Sequence, residues 1–151
     1  IKNARDIRWP RWIPFFNLGW TAGFMSDFRD LVKAGGPWDF KVTEKFATAG
    51  CPTEKCKNTV TICGICFYKD VPGNIHYGYV GHQAGLREWV IYAGGNAAAK
   101  GFSDDPEDQV AISIGIEMSK SGTALCPLIR AKKDQLNRIK TEGCNPCDEK
   151  Y

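Results

Sequence analysis

Several things are scarce or missing in this 151-residue chain, and each absence narrows what it does. No run is long and apolar enough to span a membrane as a helix. No Ser/Gly- or Pro-rich linker separates two apolar halves, and no repeat of about 20–50 residues recurs. With 43% hydrophobic residues, one domain over 1–151 with a single core is expected. No signal peptide is visible, and a chain beginning at Ile1 reads as a processed or trimmed product. The net charge is only +3. Its basic clusters are short, Arg5, Arg8 and Arg11 at the start and Lys132 and Lys133 late, well below the dense stripe of a nucleic-acid binder. Solvated faces, a monomer, and neither nucleic acid nor membrane as partner are therefore expected. The G-x-S-x-G, P-loop, H-E-x-x-H and EF-hand patterns are absent. Histidine is down to two, His76 and His82.

Cysteine, by contrast, is plentiful, with seven residues. Cys51, Cys56, Cys63 and Cys66 sit close together, and Cys126, Cys144 and Cys147 follow in the last quarter. Cys63-Gly64-Ile65-Cys66 and Cys144-Asn145-Pro146-Cys147 are both C-x-x-C, and two such pairs can hold zinc. They lie far apart for a zinc ribbon, and that reading leaves Cys51 and Cys56 without partners. A secreted disulfide framework accounts for the set more simply. The odd count leaves one thiol free or paired elsewhere. No metal and no cofactor are expected.

Along the chain, Trp9, Trp12 and Trp20 with Pro10 and Pro14 read as an ordered aromatic arm. Phe24, Phe28, Leu31 and Val32 recur at helical spacing within 21–33, and Gly35-Gly36-Pro37 ends that helix. Thr59 to Phe67 is alternating and β-branched, which predicts a short strand or hairpin edge stapled by Cys63 or Cys66. Pro72-Gly73-Asn74 reads as a turn, followed by the glycine-spaced run Gly78, Gly81 and Gly85. Residues 86–93 read as a helix with Leu86, Trp89 and Val90 on one face, stopped by Gly94-Gly95. Ser103-Asp104-Asp105-Pro106-Glu107 is a strong helix start, with Pro in the first turn and acids that suit the helix dipole. That helix should run to about Lys120 with Val110, Ile114 and Met118 buried. A further helix is expected over roughly 127–141, then a tail tied down through Cys144 or Cys147. The sum is an α+β domain, mainly helical and lysozyme-like in make-up, with a small disulfide-stapled β element.

The densest polar chemistry lies in Asp70–His82. Carboxylates are the natural suspects for catalysis. Asp39 stands between Trp38 and Phe40, where desolvation would raise its pKa and make it a proton donor. Glu44 follows closely, and Asp70 opens the glycine-rich stretch. Two acids on either side of a sugar chain are what glycoside hydrolysis requires. Trp38, Tyr77 and Tyr79 offer flat faces for stacking, while Lys41, Asn74 and His76 offer polar contacts. Asp104, Asp105 and Asp108 read as helix-start acids.

Four segments together resemble a known family. Val32-Lys33-Ala34-Gly35-Gly36-Pro37-Trp38-Asp39-Phe40-Lys41 resembles the VKxGGPWDYK segment of the bacterial polymorphic toxin type 44 domain. Gly73-Asn74-Ile75-His76-Tyr77-Gly78-Tyr79-Val80-Gly81 resembles its D-x-GN-x-x-YG-x-x-G segment. Residues 85–94 resemble its next helix, and Asp104-Asp105-Pro106-Glu107-Asp108-Gln109 its DDPxDQ helix start. The order is kept over about residues 31–116. The loop before Gly73-Asn74 is one residue longer than in that pattern, and the cysteine-rich insertion at 51–66 departs from the bacterial form. The insertion points to a secreted, fungal-type relative, and secreted fungal proteins with this domain resemble cell-wall-lytic muramidases. Toxin domains of the type have also been assigned nuclease or wall-directed roles.

Three functions follow for testing. The first is a secreted peptidoglycan hydrolase of lysozyme type acting on peptidoglycan or a chitooligosaccharide-like glycan. In it Asp39 is the general acid, Asp70 or Glu44 activates water or stabilises charge, and Trp38, Lys41, Asn74, His76, Tyr77 and Tyr79 hold the sugar. The second is a ribonuclease toxin using His76 and His82 on RNA, with Lys41 stabilising the phosphorane. The third is a non-catalytic module that binds wall carbohydrate.

Overall fold

The computed structural model describes residues 26–33, 35–37, 56–98, 105–136 and 143–144. Residues 26–32 are helical, and a turn at 35–37 follows, as the Gly-Gly-Pro stop predicts. Two strands, β1 (Thr59–Ile62) and β2 (Ile65–Tyr68), pair antiparallel with Val60 opposite Phe67 and Ile62 opposite Ile65. Their two-residue loop, Cys63-Gly64, has φ of 55° and 75°. Positive φ at both positions matches the right-handed twist of the strands and makes the tight hairpin possible. Four helices follow: α1 (Asp70–Gln83), α2 (Glu88–Ala98), α3 (Pro106–Ser121) and α4 (Leu125–Lys132), the last continued by a 3-10 turn at Lys133–Gln135. The α+β class, mainly helical with a small stapled hairpin, is thus the observed one.

Several expected boundaries are corrected. Pro72-Gly73-Asn74 is no turn but part of the first turn and a half of α1. Proline is tolerated there because the first amides of a helix have no intrahelical acceptor in any case. Gly94-Gly95 does not stop α2, which runs on to Ala98. A Cβ at Gly94 would fall on the Tyr77 hydroxyl, so glycine serves that contact and not a helix end. Within α2 the deeply buried residue is Ile91, while Trp89 is 67% exposed; Leu86, expected to share its face, precedes the helix and is buried. The last helix starts two residues early, at Leu125, and is α-helical only to Lys132. The expectations for the aromatic arm and for 137–141 lie outside the described residues.

α3 is the central element. Ile112 and Ile116 pack with Phe28, Val80, Ala84, Leu86 and Ile91 in one core cluster. Ala111 and Ile114 pack with Phe67, Val71, Ile75, Leu128, Ile129 and Leu136 in another. The stripe of Val110, Ile114 and Met118 lines only the second, so α3 is buried on two sides where one was expected. Gly122, with φ of 70°, caps α3 as its amide donates to the Met118 carbonyl.

Disulfides join Cys56 to Cys144 and Cys63 to Cys126, and Cys66 is a buried free thiol. The zinc alternative built on the two C-x-x-C pairs is thereby overturned: Cys63 and Cys144 are spent in two different disulfides. The tail is tied through Cys144, as expected.

Candidate active site

The site follows from how α1 and α3 lie together. Asn74 bonds Asp108, Gly78 abuts Ile112, and His82 bonds Ser119. Partner numbers rise together, so the two helices run parallel. α2 runs the other way along α3, for Glu88 pairs with Lys120 while Asn96 pairs with Gln109. The N-terminal ends of α1 and α3 and the C-terminal end of α2 therefore share one end of the bundle. Parallel helices place two positive dipole ends side by side, a setting that favours negative charge. Asp70 stands in the first turn of α1, Asp105 at the N-cap of α3, and Glu107 and Asp108 in its first turn.

Close approach makes this register possible. A Cβ at Gly78 would overlap the Ile112 carbonyl oxygen, and one at Gly115 would overlap the Ile75 carbonyl oxygen and lie 2.6 Å from the Tyr79 amide nitrogen. Only glycine lets the two backbones touch there.

At the shared end the Asn74 side-chain amide donates to the Asp108 carboxylate at 2.6 Å, half-buried. Beside it the Gln109 amide donates to the Asn96 carbonyl oxygen at 3.1 Å. Hydrogen bonds to a carboxylate are among the stronger ones, so Asn74 orients Asp108. Asp70 lies one turn before Asn74 and Tyr77 nearly one turn after it, on the same face of α1. The Tyr77 hydroxyl donates to the Ile91 carbonyl at 2.9 Å, and its ring packs on Phe28 at 5.9 Å. Tyr77 thus ties α1 to α2 just below the polar cluster.

The remaining predicted residues of α1 go elsewhere. His76 is two positions from Asn74, which turns it about 200° around the axis. It is half-buried, and burial lowers its pKa below the usual 6.5. Tyr79 is 37% exposed on that outer side. His82 sits at the opposite end, its Nδ1 2.7 Å from the Ser119 hydroxyl. Six helical positions hold the two imidazoles about 120° apart around the axis and about 9 Å apart along it. Trp38, Asp39, Lys41 and Glu44 lie outside the described residues.

Three residues of the cluster escaped the reading of residue types. Asp108 reads as a helix-start acid, and it does lie in the first turn of α3, but it is also the partner of Asn74. Asn96 and Gln109 carry no signal of their own. The one usable clue was the DDPxDQ resemblance, which contains Asp108 and Gln109 next to each other.

At the far end, Lys120 pairs with Glu88 at 2.8 Å, which lowers the Glu88 pKa and raises that of Lys120. Burial, then the Glu88 charge, raises the Tyr92 pKa. These are helix-end contacts with no acid–amide pair among them.

The family model described as Bacterial toxin 44 matches residues 27–121, well over half of the chain. Neither the curated proteins nor the solved structures hold a significant match.

Proposed function

From the premise that this chain belongs to the bacterial toxin 44 family, we propose that it is a secreted peptidoglycan hydrolase that cuts the glycan strand by carboxylate catalysis. The observation that carries the reading is the Asn74–Asp108 bond at 2.6 Å, which holds a carboxylate at the joint N-terminal end of α1 and α3. Asp70 opens α1 at the same end. Negative charge is favoured there, which suits the member of a catalytic pair that must be ionised. Asp39, flanked by Trp38 and Phe40, is the partner suited to stay protonated. In the reaction Asp39 gives its proton to the glycosidic oxygen as the C–O bond breaks. Asp108 or Asp70, or Glu44, faces the positive charge that develops on the sugar and takes the proton of the attacking water. Asn74 positions Asp108, and Asn96 and Gln109 line the approach with amides that match acetamido groups. The two disulfides and the absence, among the described residues, of a helix able to cross a membrane accord with an extracellular setting. The separation of His76 from His82 on α1 favours carboxylates over a two-histidine ribonuclease.

The test is turbidity clearing of purified bacterial walls by the wild type, Asp39→Asn and Asp108→Asn, with release of reducing ends followed in parallel. Clearing by the wild type and a loss of about 100-fold or more in each variant is expected. Undiminished clearing by Asp108→Asn would remove Asp108 from the chemistry. RNA degradation without wall clearing, or wall binding without new reducing ends, would replace the hydrolase reading with one of the other two.

A further inference from the structure

Three cysteines cluster beside the hairpin. Cys56 and Cys66 are 6% and 8% exposed and in contact, and Cys144 packs against them. Two of the three are bonded to each other, Cys56 to Cys144, and the third is a thiol. Cys66 lies in β2 opposite Thr61, so the hairpin itself presents it to the bond. A free thiol is stored against a disulfide, and packing shields it from solvent.

We propose that Cys66 is an internal exchange nucleophile that rewires the Cys56–Cys144 disulfide when the hairpin opens. The Cys66 thiolate attacks Cys56 Sγ. The Cys56–Cys66 bond forms as the Cys56–Cys144 bond breaks, and Cys144 leaves as a thiolate that takes up the proton Cys66 gave to solvent. One disulfide and one thiol stand on each side, so neither oxidant nor reductant is needed.

Direction comes from loop length. The native bond closes a loop with a sequence separation of 88, whereas Cys56 and Cys66 are separated by 66 − 56 = 10. With Cys63–Cys126 intact, the open-chain path from Cys56 to Cys144 is about 25 residues, 7 to Cys63 and 18 from Cys126, so the shorter loop is favoured by roughly fourfold from the three-halves power law of loop closure. In the closed chain, packing holds the long loop and keeps Cys66 buried. A two-stranded hairpin is marginal by itself, so this is the region whose opening exposes the thiol. The Cys63–Cys126 bond takes no part and keeps the hairpin turn attached to α4. The outcome is that opening of this region exchanges the long-loop bond for the short one and frees Cys144.

The experiment holds the full-length protein at its unfolding midpoint at pH 8, blocks thiols with iodoacetamide at that temperature, and reads unreduced peptides by tandem mass spectrometry. Before heating, the alkylated cysteine of the trio is Cys66. Afterwards it is expected to be mainly Cys144, with Cys56 linked to Cys66 and Cys63 still linked to Cys126. In Cys66→Ala the Cys56–Cys144 link should survive the same treatment. As a check that needs no variant, heating the wild type at pH 5 should slow the change by at least 100-fold, since only the thiolate attacks. Alkylation remaining mainly on Cys66, loss of the Cys56–Cys144 link in Cys66→Ala at the wild-type rate, or Cys66 found as often on Cys126 or Cys147 as on Cys56 would each overturn the proposal.

Discussion

Where α1 meets α3, Gly78 lies on the Ile112 backbone and Gly115 on the backbone of Ile75 and Tyr79. The hairpin is secured differently, for Cys63 is bonded to Cys126 and Cys56 to Cys144. The first contact lies wholly inside the stretch that matches the family, residues 27–121. Each of the two disulfides joins a cysteine inside that stretch to one beyond it. The helix pair that builds the candidate site is therefore held without sulfur, by close packing and the Asn74–Asp108 and His82–Ser119 hydrogen bonds, while disulfides fasten the following segment onto it. Neither disulfide contributes a residue to the acid–amide cluster, whereas a single methyl group between α1 and α3 would displace it.

The largest expected effect on this comparison comes from the sulfur side. Replacing Cys56 and Cys144 together by serine reopens a loop that, with Cys63–Cys126 intact, spans about 25 residues, 7 to Cys63 and 18 from Cys126, and should cost about 3.5 kcal/mol. Urea denaturation measures it, and an unchanged midpoint would mean that the staple adds nothing to packing. Next is Gly115→Ala. Its new methyl meets backbone that cannot swing aside, so a loss of about 3 kcal/mol is expected, together with loss of activity as Asn74 and Asp108 separate. A neutral Gly115→Ala would mean that the close backbone approach does not set how the pair lies together. Asn74→Ala should cost about 1.5 kcal/mol through the lost bond to Asp108. It should lower wall clearing far more than it lowers the unfolding midpoint, which separates a positioning role from a merely structural one.

The smallest effect is expected from pH. Burial holds the His76 pKa below 6.5 in the folded protein, so the unfolded chain takes up that proton more readily. The corresponding stability is intact above pH 6.5 and declines as pH falls from there toward the folded pKa. Melting temperatures recorded from pH 8 to pH 5 should show this decline in the wild type and a shallower one in His76→Gln. Equal slopes would show that acid acts through other groups.

How much of this was legible beforehand differs from element to element. The start of α3 could be read from Asp105-Pro106-Glu107, since caps and first-turn acids act locally. The hairpin could be read from the β-branched run of Thr59 to Phe67, again a local pattern. α1 was misread at its start because Pro72, Gly73 and Asn74 all favour turns in isolation. Gly78 read as one of a glycine-spaced run and Gly94 as a helix stop, and Gly115 drew no reading of its own, yet each marks a place where another residue's backbone or hydroxyl comes too close for a Cβ. Asp108 was visible as an acid but not as a partner of Asn74, because 34 residues separate them.

By itself, then, the sequence determined what depends on neighbours along the chain: the helical and hairpin segments, the surplus of cysteines with one left over, and the acids gathered at a helix start. Only the tertiary structure decided which residues meet. It set α1 and α3 parallel so that their N-terminal ends converge, paired Asn74 with Asp108, and left Cys66 as a free thiol among the described cysteines. The physical reason is the same in each case. Propensity and capping are short-range free energies, whereas register between helices and the choice of sulfur partner are settled by packing between segments far apart in the chain.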